Sequence, residues 1–355
     1  MKLPVMPPVN PMLAQLADAI PEGDYQYEPK WDGFRAVVFR DGDEITIESR
    51  HDRPLGRYFP ELVTSLKARL PERIVVDGEI VIAGPSGLDF EALQLRLHPA
   101  ASRIAKLARE TPARLVAFDI LALGDDDLQP WPLRRRRAAL EEALGQDDGA
   151  PLITPATTDL ERARDWFRRF EGAGFDGILA KPLDLPYVAG ERVMIKVKHQ
   201  RTADCVVGGF RFGKDGRGLA SLLLGLYDDH GVLHSVGVAS GFSAAQRQQI
   251  ATELAPYRDN ARAGHPWISD ELQAGDQRLP GGPSRWTGDR DLAWEAVRPE
   301  LVAEVAYDHM QGTRFRHATR FLRWRPDRIP SSCTYAQLEV APPAELAEMF
   351  ALRAT

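Results

Sequence analysis

Lys30 is the residue whose setting most invites chemistry. It stands in the stretch Tyr27-Glu28-Pro29-Lys30-Trp31-Asp32-Gly33-Phe34-Arg35. Asp-Gly between β-prone runs is a turn signal, so the lysine should sit near a strand end, facing whatever the corner faces. A lysine amine attacks an electrophile only when neutral, and a free one titrates at about 10.4. Neighbouring cations or desolvation lower that value and activate the nucleophile; Arg35 is one such cation. The same word also fits a surface hairpin with an exposed lysine. By average residue usage, Lys-x-Asp-Gly arises by chance in roughly one chain in ten of this length, so its partners must come from elsewhere.

Several stretches offer them. The apolar run Ile74–Ile82 is interrupted by Asp77 and Glu79. Acids inside a buried strand are costly unless paired or metal-bound, which singles out Glu79. Leu115–Leu121 is a second apolar strand, containing Phe118 and Asp119, and Gly177–Ala180 is a third, framed by Asp176 and Lys181. In Val193-Met194-Ile195-Lys196-Val197-Lys198 the alternation puts both lysines on one face and Ile195 and Val197 on the other. Two lysines aimed the same way repel unless an anion lies between them, which favours a phosphate. Ser49-Arg50-His51-Asp52 forms a polar cluster after a strand, where loop residues reach ligands.

The elements that must position these groups are legible in outline. Residues 1–24 are proline-rich and aperiodic, a lead-in or strap. Strands are expected around the Asp32-Gly33 corner, at Phe34–Arg40 and at Ile45–Glu48. A helix opens at Phe59-Pro60 with Leu62, Leu66 and Leu70 on one face. Leu133 to Leu144 reads as a surface helix whose Arg134–Arg137 run is a solvated face, and Leu160 to Phe170 as a further amphipathic helix. After His199 the texture changes to short strands between glycine turns: Cys205–Phe212, Leu219–Tyr227 and Leu233–Val238. A helix from Ser243 to Leu254, capped by Ser243, a polar stretch from Arg258 to Asp291 and a strand at Leu301–Tyr307 follow. Short strands plus one helix over about 120 residues suit a small barrel such as an OB-fold, a common nucleic-acid platform.

Composition sets the bounds. The chain of 355 residues can hold two domains, and 44% hydrophobic with 27% charged residues is ordinary for a soluble protein. No apolar run approaches the roughly 20 residues that span a bilayer, and the proline-broken start lacks a signal-peptide core. Two cysteines are too few for a disulfide framework or a cysteine-built zinc site, so a reducing cytoplasm is expected. The net charge of −6 is poor for nucleic acid, but distribution matters more than the sum. Arg314, Arg316, Arg320, Arg323, Arg325 and Arg328 lie in a stretch with one acid, Asp327.

In this order the pieces resemble an ATP-dependent DNA ligase, of the covalent nucleotidyltransferase superfamily that also holds RNA ligases and capping enzymes. The likeness covers about residues 11 to 330. Lys30-Trp31-Asp32-Gly33 resembles motif I, Ser49-Arg50 motif Ia, Asp77-Gly78-Glu79 motif III and Phe118-Asp119 motif IIIa. Asp176 to Lys181 resembles motif IV, where the family often carries Glu at the first position. Lys196-Val197-Lys198 resembles motif V and Arg325-Pro326-Asp327-Arg328 motif VI. The words Pro11-Met12-Leu13-Ala14, Glu28 to Arg35 and Glu304-Val305-Ala306-Tyr307 are similar to bacterial repair ligases, and the length to the small stand-alone LigC-like type. An RNA ligase or GTP-using capping enzyme shares the lysine word and the later lysine pair. The second domain and these flanking words favour DNA.

The resemblance implies an α+β chain: a nucleotidyltransferase (ATP-grasp-like ligase) domain of antiparallel sheets with helices over residues 1–200, an OB-fold barrel over 201–330, and a tail over 331–355 with a short helix at Ala344 to Leu352. It implies that Lys30 takes AMP from ATP, with Asp32 orienting it and Lys196 and Lys198 on the α-phosphate, lowering the pKa of Lys30. Arg325 and Arg328 would act on pyrophosphate once the second domain swings onto the first. Glu28, Arg35, Arg50, Glu79, Phe118, Lys181 and Ile195 would line the nucleotide site, with Phe118 stacking on the base. Glu79 and Asp176 would hold Mg2+ or Mn2+. The substrate would be nicked double-stranded DNA, and the partners end-joining or excision-repair proteins (Ku-like, primase-polymerase). The protein would be a monomer, away from membranes, in the cytoplasm at the nucleoid.

Overall fold

The computed structural model describes residues 1–84, 87–145, 151–170, 175–199, 201–213, 218–268, 278–280 and 293–338. The expected helix at Ala344 to Leu352 and part of the polar stretch after Arg258 lie outside the described residues. The chain divides after His199 into two compact units.

In the first unit, apolar alternation builds two sheets. The smaller runs in the order Leu13–Leu16, Arg192–Lys198, Gly177–Pro182, Tyr25–Pro29. The larger runs Leu152–Ile153, Arg114–Leu123, Arg73–Val81, Phe34–Asp41, Glu44–Ser49. Pairing along both is antiparallel except at two edges, where Leu13–Leu16 runs parallel to Arg192–Lys198 and Leu152–Ile153 parallel to Arg114–Leu123. Alternate residues of the larger sheet serve two cores. Val38, Val76 and Ile120 meet Leu62 and Leu66 of the Pro60–Arg69 helix and Leu140 of the Leu133–Leu144 helix. Val37, Phe39, Val75 and Leu121 point the other way, onto Met194 of the smaller sheet and onto Leu3, Val5 and Val9 of the N-terminal strap. A further cluster joins Tyr27, Ile178 and Ala180 of the smaller sheet to Val81 and Val116 of the larger, closed by Trp166 from the helix Leu160–Arg169. Each fully buried aliphatic side chain of this kind contributes roughly 1.5–3 kcal/mol.

One alternative is excluded here and one expectation corrected. The Asp32-Gly33 corner does not close a hairpin. Tyr25–Pro29 belongs to the smaller sheet and Phe34–Asp41 to the larger, so the corner carries the chain from one to the other. Glycine is required at 33 because a β-carbon would collide with the Ile80 carbonyl oxygen and Glu79 Cγ. The Arg134–Arg137 run is not a uniformly solvated face either. Arg136 is fully buried; its Nε and Nη2 donate to the two carboxylate oxygens of buried Asp119 at 2.8 and 3.0 Å, and Nη1 donates to the Leu185 carbonyl at 2.9 Å.

The second unit is the expected barrel. Arg201–Phe212, Leu219–Tyr227, Leu233–Ser240, Thr319–Trp324 and Glu295–Tyr307 close in that order, with Leu233–Ser240 and Thr319–Trp324 parallel. The helix Ala244–Leu254 starts at Ser243 with a full capping box, Gln246 N donating to Ser243 Oγ at 3.2 Å and Ser243 N to Gln246 Oε1 at 3.0 Å. Residues 331–338, expected to open a tail, instead complete this unit. Cys333 is fully buried, its carbonyl accepts from Tyr227 N at 2.9 Å, and Gln337 Oε1 accepts from Asp204 N at 2.8 Å. Among the described residues, no helix is long and apolar enough to cross a membrane.

The buried Arg136–Asp119 pair makes a direct prediction. Arg136→Met leaves Asp119 as an uncompensated buried charge and should destabilise the first unit by about 3–5 kcal/mol. Arg136→Met combined with Asp119→Leu should recover most of that loss. Urea unfolding of the three chains checks it; a double variant as unstable as the single one would contradict the pairing.

Candidate active site

The local fold explains why Lys30 points where it does. Beyond the end of the Tyr25–Pro29 strand, backbone pairing with the strand Gly177–Pro182 continues: Lys30 N donates to the Gly177 carbonyl at 2.8 Å, and Asp176 N to the Lys30 carbonyl at 2.9 Å. Lys198 is the register partner of Gly177. The two strands approach so closely that a β-carbon on Gly177, whose φ is +134°, would run into the Val197 carbonyl. Lys30, Asp176 and Lys198 are thereby brought together.

Their side chains meet at one atom. Lys30 Nζ lies 2.6 Å and Lys198 Nζ 3.1 Å from Asp176 Oδ2. Lys196 has no ion pair among the described residues, and its pKa is lowered by burial and then by Lys198 and Lys30. Lys30 stands in an ion pair with Asp176.

Between the sheets lies a cavity walled by Pro11 to Ala14, Glu28 to Trp31, Arg35, Arg50, Glu79, Phe118, Met194 and Lys196. Glu28 and Lys181, both buried, pair at 2.7 Å, and Gln26 Nε2 donates to Glu28 Oε1 at 2.7 Å. Lys181 Nζ lies 4.7 Å, and the Arg35 guanidinium carbon 4.3 Å, from the Phe118 ring centroid. Arg35 is held in two hydrogen bonds of 2.6 Å each by fully buried Asp77, which also accepts from Tyr187 Oη at 2.6 Å. Burial alone would lower the Arg35 pKa, but the Asp77 charge and hydrogen bonds raise it, so the guanidinium stays charged. Trp31 braces the corner, its Nε1 donating to Thr154 Oγ1 at 2.8 Å.

Glu79 differs from the other acids. No hydrogen bond or ion pair reaches its carboxylate among the described residues. Burial pushes its pKa up to about 7, against the pull of Arg35 and Lys30. An unpartnered carboxylate beside Lys30 fits a hard divalent cation, which takes oxygen ligands and completes its shell with water and phosphate oxygens. Among the described residues no three acids, histidines or cysteines converge, so Glu79 and Asp176 would supply one or two ligands and the phosphates the rest.

One expected cavity residue, Ile195, turns away from the cavity, and Arg325 and Arg328 lie in the second unit where they were expected. The pleat sends Met194 and Lys196 to the cavity and turns Ile195 into the cluster around Tyr27 and Trp31. Arg325 and Arg328 belong to the second unit. There Arg325 Nη1 lies 3.0 Å from Asp204 Oδ1 and Nη2 2.7 Å from Asp327 Oδ2, while Arg328 Nε lies 3.1 Å from Asp204 Oδ2. Asp77, Tyr187, Gln26 and Met194 were missed. Asp77 carried the same signal as Glu79, an acid in an apolar strand; Tyr187 sits in a loop with no period to mark it.

Comparison with known proteins agrees with this arrangement. The model of the ATP dependent DNA ligase domain matches residues 11–198, and that of the ATP dependent DNA ligase C terminal region matches residues 215–328. DNA ligase C2 of Mycolicibacterium smegmatis is 56% identical over 346 residues, covering 96% of this chain and 97% of that protein. DNA ligase C of Mycobacterium tuberculosis is 55% identical over 346 residues, covering 96% of each. A solved Lig E DNA ligase shares the fold, with a TM-score of 0.52 at 17% identity over 88% of this chain and 99% of that one. The chain therefore belongs to the ATP-dependent DNA ligases, enzymes that seal 5′-phosphate/3′-hydroxyl nicks in duplex DNA through an adenylate intermediate.

Proposed function

We propose that Lys30 is the residue that carries AMP, and that the surrounding groups divide the work of loading it. The observation that carries this reading is the meeting of Lys30 and Lys198 on one oxygen of Asp176, at 2.6 and 3.1 Å, beside a cavity that also holds Lys196. In the first step the Lys30 ammonium loses one proton to solvent, Nζ attacks the α-phosphorus of ATP, and the second proton leaves as the phosphoramidate forms. The N–P bond forms as the P–O bond to pyrophosphate breaks. Lys196 and Lys198 bind the α-phosphate, whose negative charge relieves their mutual repulsion. Phe118 carries the base, with Glu28 and Lys181 bordering it, and Arg35 and Arg50 face the ribose and phosphate. Asp32 orients the Lys30 corner. A divalent cation on Glu79 and Asp176, Mg2+ or Mn2+, would supply charge to the transferring phosphate and compete with the Lys30 ammonium for Asp176.

AMP then moves to the 5′-phosphate of the nick, and the 3′-hydroxyl attacks that phosphate, releasing AMP. Service in repair alongside end-joining or excision-repair proteins, as a monomer in the cytoplasm, extends the likeness of the flanking words to bacterial repair ligases. Co-purification with Ku-like or primase-polymerase proteins tests that extension.

Incubation with α-labelled ATP and Mg2+ should give a covalent AMP adduct that Lys30→Ala does not form, with sealing reduced roughly a thousandfold or more. An undiminished adduct in Lys30→Ala would place the nucleophile elsewhere.

Glu79 gives a second prediction. Its folded pKa of about 7 lies above the ordinary glutamate value, which is about 4.3 in an unfolded chain. The folded state therefore binds the proton more tightly. That contribution to stability is complete below pH ~4.3 and is lost as pH rises through about 7. With chelator present, Glu79→Gln should be more stable than the parent by about 1–3 kcal/mol at pH 8, the gap closing near pH 4. The same variant should need more Mg2+ for half-maximal adduct. A thermal-stability gap that ignores pH would contradict the burial of this carboxyl.

A further inference from the structure

We propose that Thr154 is a positioning residue for adenylylation, which through Trp31 fixes the corner carrying Lys30 at a set distance from Phe118. The proposal rests on the Lys30 reading above and adds to it the group that aims the nucleophile.

Thr154 follows the short strand Leu152–Ile153, which runs parallel to Arg114–Leu123 with Ile153 opposite Ala117. Its N continues that pairing, donating to the Ala117 carbonyl at 2.9 Å, so Thr154 is tied to the larger sheet one residue from Phe118. Lys30 and Asp176 are tied to the smaller sheet, where Lys30 N donates to the Gly177 carbonyl and Asp176 N to the Lys30 carbonyl. A side-chain bond that spans the two sheets at this point sets how far Nζ stands from a nucleotide whose base rests on Phe118.

Trp31 makes that bond. It follows Lys30 directly, and its indole nitrogen can only donate; it does so to Thr154 Oγ1 at 2.8 Å. Thr154 is fully buried and Trp31 nearly so. An indole N–H deprived of this oxygen is therefore left unpaired in the interior, which drives the ring toward another partner. On its other side the ring meets fully buried Phe175 edge-on, with centroids 4.7 Å apart. Phe175 precedes Asp176, the acid paired with Lys30 at 2.6 Å. One ring thus adjoins both members of the ion pair, and a turn of the indole displaces the nucleophile and its acid together.

Thr154 is itself held fast. Its carbonyl accepts from Arg137 Nη2 at 2.8 Å, and Arg137 Nε donates to Glu141 Oε1 at 2.6 Å on the same helix, Leu133–Leu144. Its N, its carbonyl and its hydroxyl are thus fixed by three different elements, and only the hydroxyl bond reaches the Lys30 corner. In-line attack responds steeply to such placement: a shift of about 1 Å costs roughly a hundredfold in rate.

The test uses the full chain and follows the covalent AMP adduct from labelled ATP and Mg2+ in a single turnover, with the labelled residue located by peptide mass spectrometry. Thr154→Val keeps the shape and removes the acceptor. Its maximal rate of adduct formation should fall roughly 10- to 100-fold, with the half-saturating ATP concentration within about twofold and the final labelled fraction unchanged. Thr154→Ser, which keeps the oxygen, should restore the rate. Trp31→Phe removes the donor, and Trp31→Phe/Thr154→Val should be about as slow as either single variant, because the two side chains act through one bond. The double variant leaves neither polar group unpaired, so it carries the comparison with Trp31→Phe even where the valine variant folds poorly. Sealing of a nick whose 5′-phosphate is already adenylylated needs no attack by Lys30 and should change less than about threefold. Wild-type loading rates in Thr154→Val and Trp31→Phe, with the adduct on Lys30, would overturn this proposal alone. So would losses that multiply in the double variant, or an equal loss in sealing the adenylylated nick. An adduct located on a residue other than Lys30 would overturn the Lys30 reading and this proposal with it.

Discussion

Two lysines sharing one carboxylate oxygen, with a third lysine close by, is the constraint on which the first unit depends. Lys30 and Lys198 are satisfied by Asp176, and Lys196 by no ion pair among the described residues. At an effective dielectric of about 20, like charges about 4 Å apart cost roughly 4 kcal/mol. Asp176 by itself does not neutralise three ammonium groups, so the cluster around that carboxylate favours a further anion. That the fold holds these cations near one another at all is the work of strand pairing: Lys30 against residues 176 and 177, and Lys198 opposite Gly177. The energy to maintain the cluster comes from the apolar layers on either side. An anion entering there would be favoured by relief of a repulsion already present.

Around that cluster sits a layer of buried ion pairs: Asp77 with Arg35, Glu28 with Lys181, and Asp119 with Arg136. Such pairs add little net stability, because desolvation offsets most of the attraction. Their effect is geometric. Two bonds from Asp77, itself fixed by Tyr187, leave the Arg35 guanidinium no freedom to turn from the Phe118 ring. A cavity built this way is ordered before any ligand arrives, which spares the ordering cost on binding.

The sequence made the chemistry at strands legible and that at corners and loops much less so. Alternation in Val193–Lys198 put both lysines on one face, and the structure has them there. The same alternation, applied to Ile195, argues against a place in the cavity; the expectation for that residue came from the resemblance, and the pleat overrules it. Asp32-Gly33 is an Asp-Gly word with β-prone flanks, the ordinary hairpin signal. Nothing local distinguishes a corner that closes a hairpin from one that crosses between sheets, because the difference lies in the partner strands, distant in sequence. Arg136 was hidden for a related reason. Four consecutive arginines on a helix read as a solvated face, yet a helix turns 100° per residue, so such a run must send one member inward. Which member goes inward is decided by Asp119, on another element.

The arginines bring these threads to a physical point. Net charge predicts little about DNA binding in this chain, because several of its arginines are committed to acids within the fold. In the second unit the basic stripe, expected to track a DNA backbone, is partly spoken for: Arg323 by Glu304, and Arg325 by Asp204 and Asp327. In the first unit Arg35, Arg96 and Arg136 serve as struts. A phosphate competes poorly for a guanidinium already held by two carboxylate bonds, since it must displace a partner of equal charge and better geometry. The cations open to nucleic acid are therefore those with no acid in reach, whatever their density along the sequence.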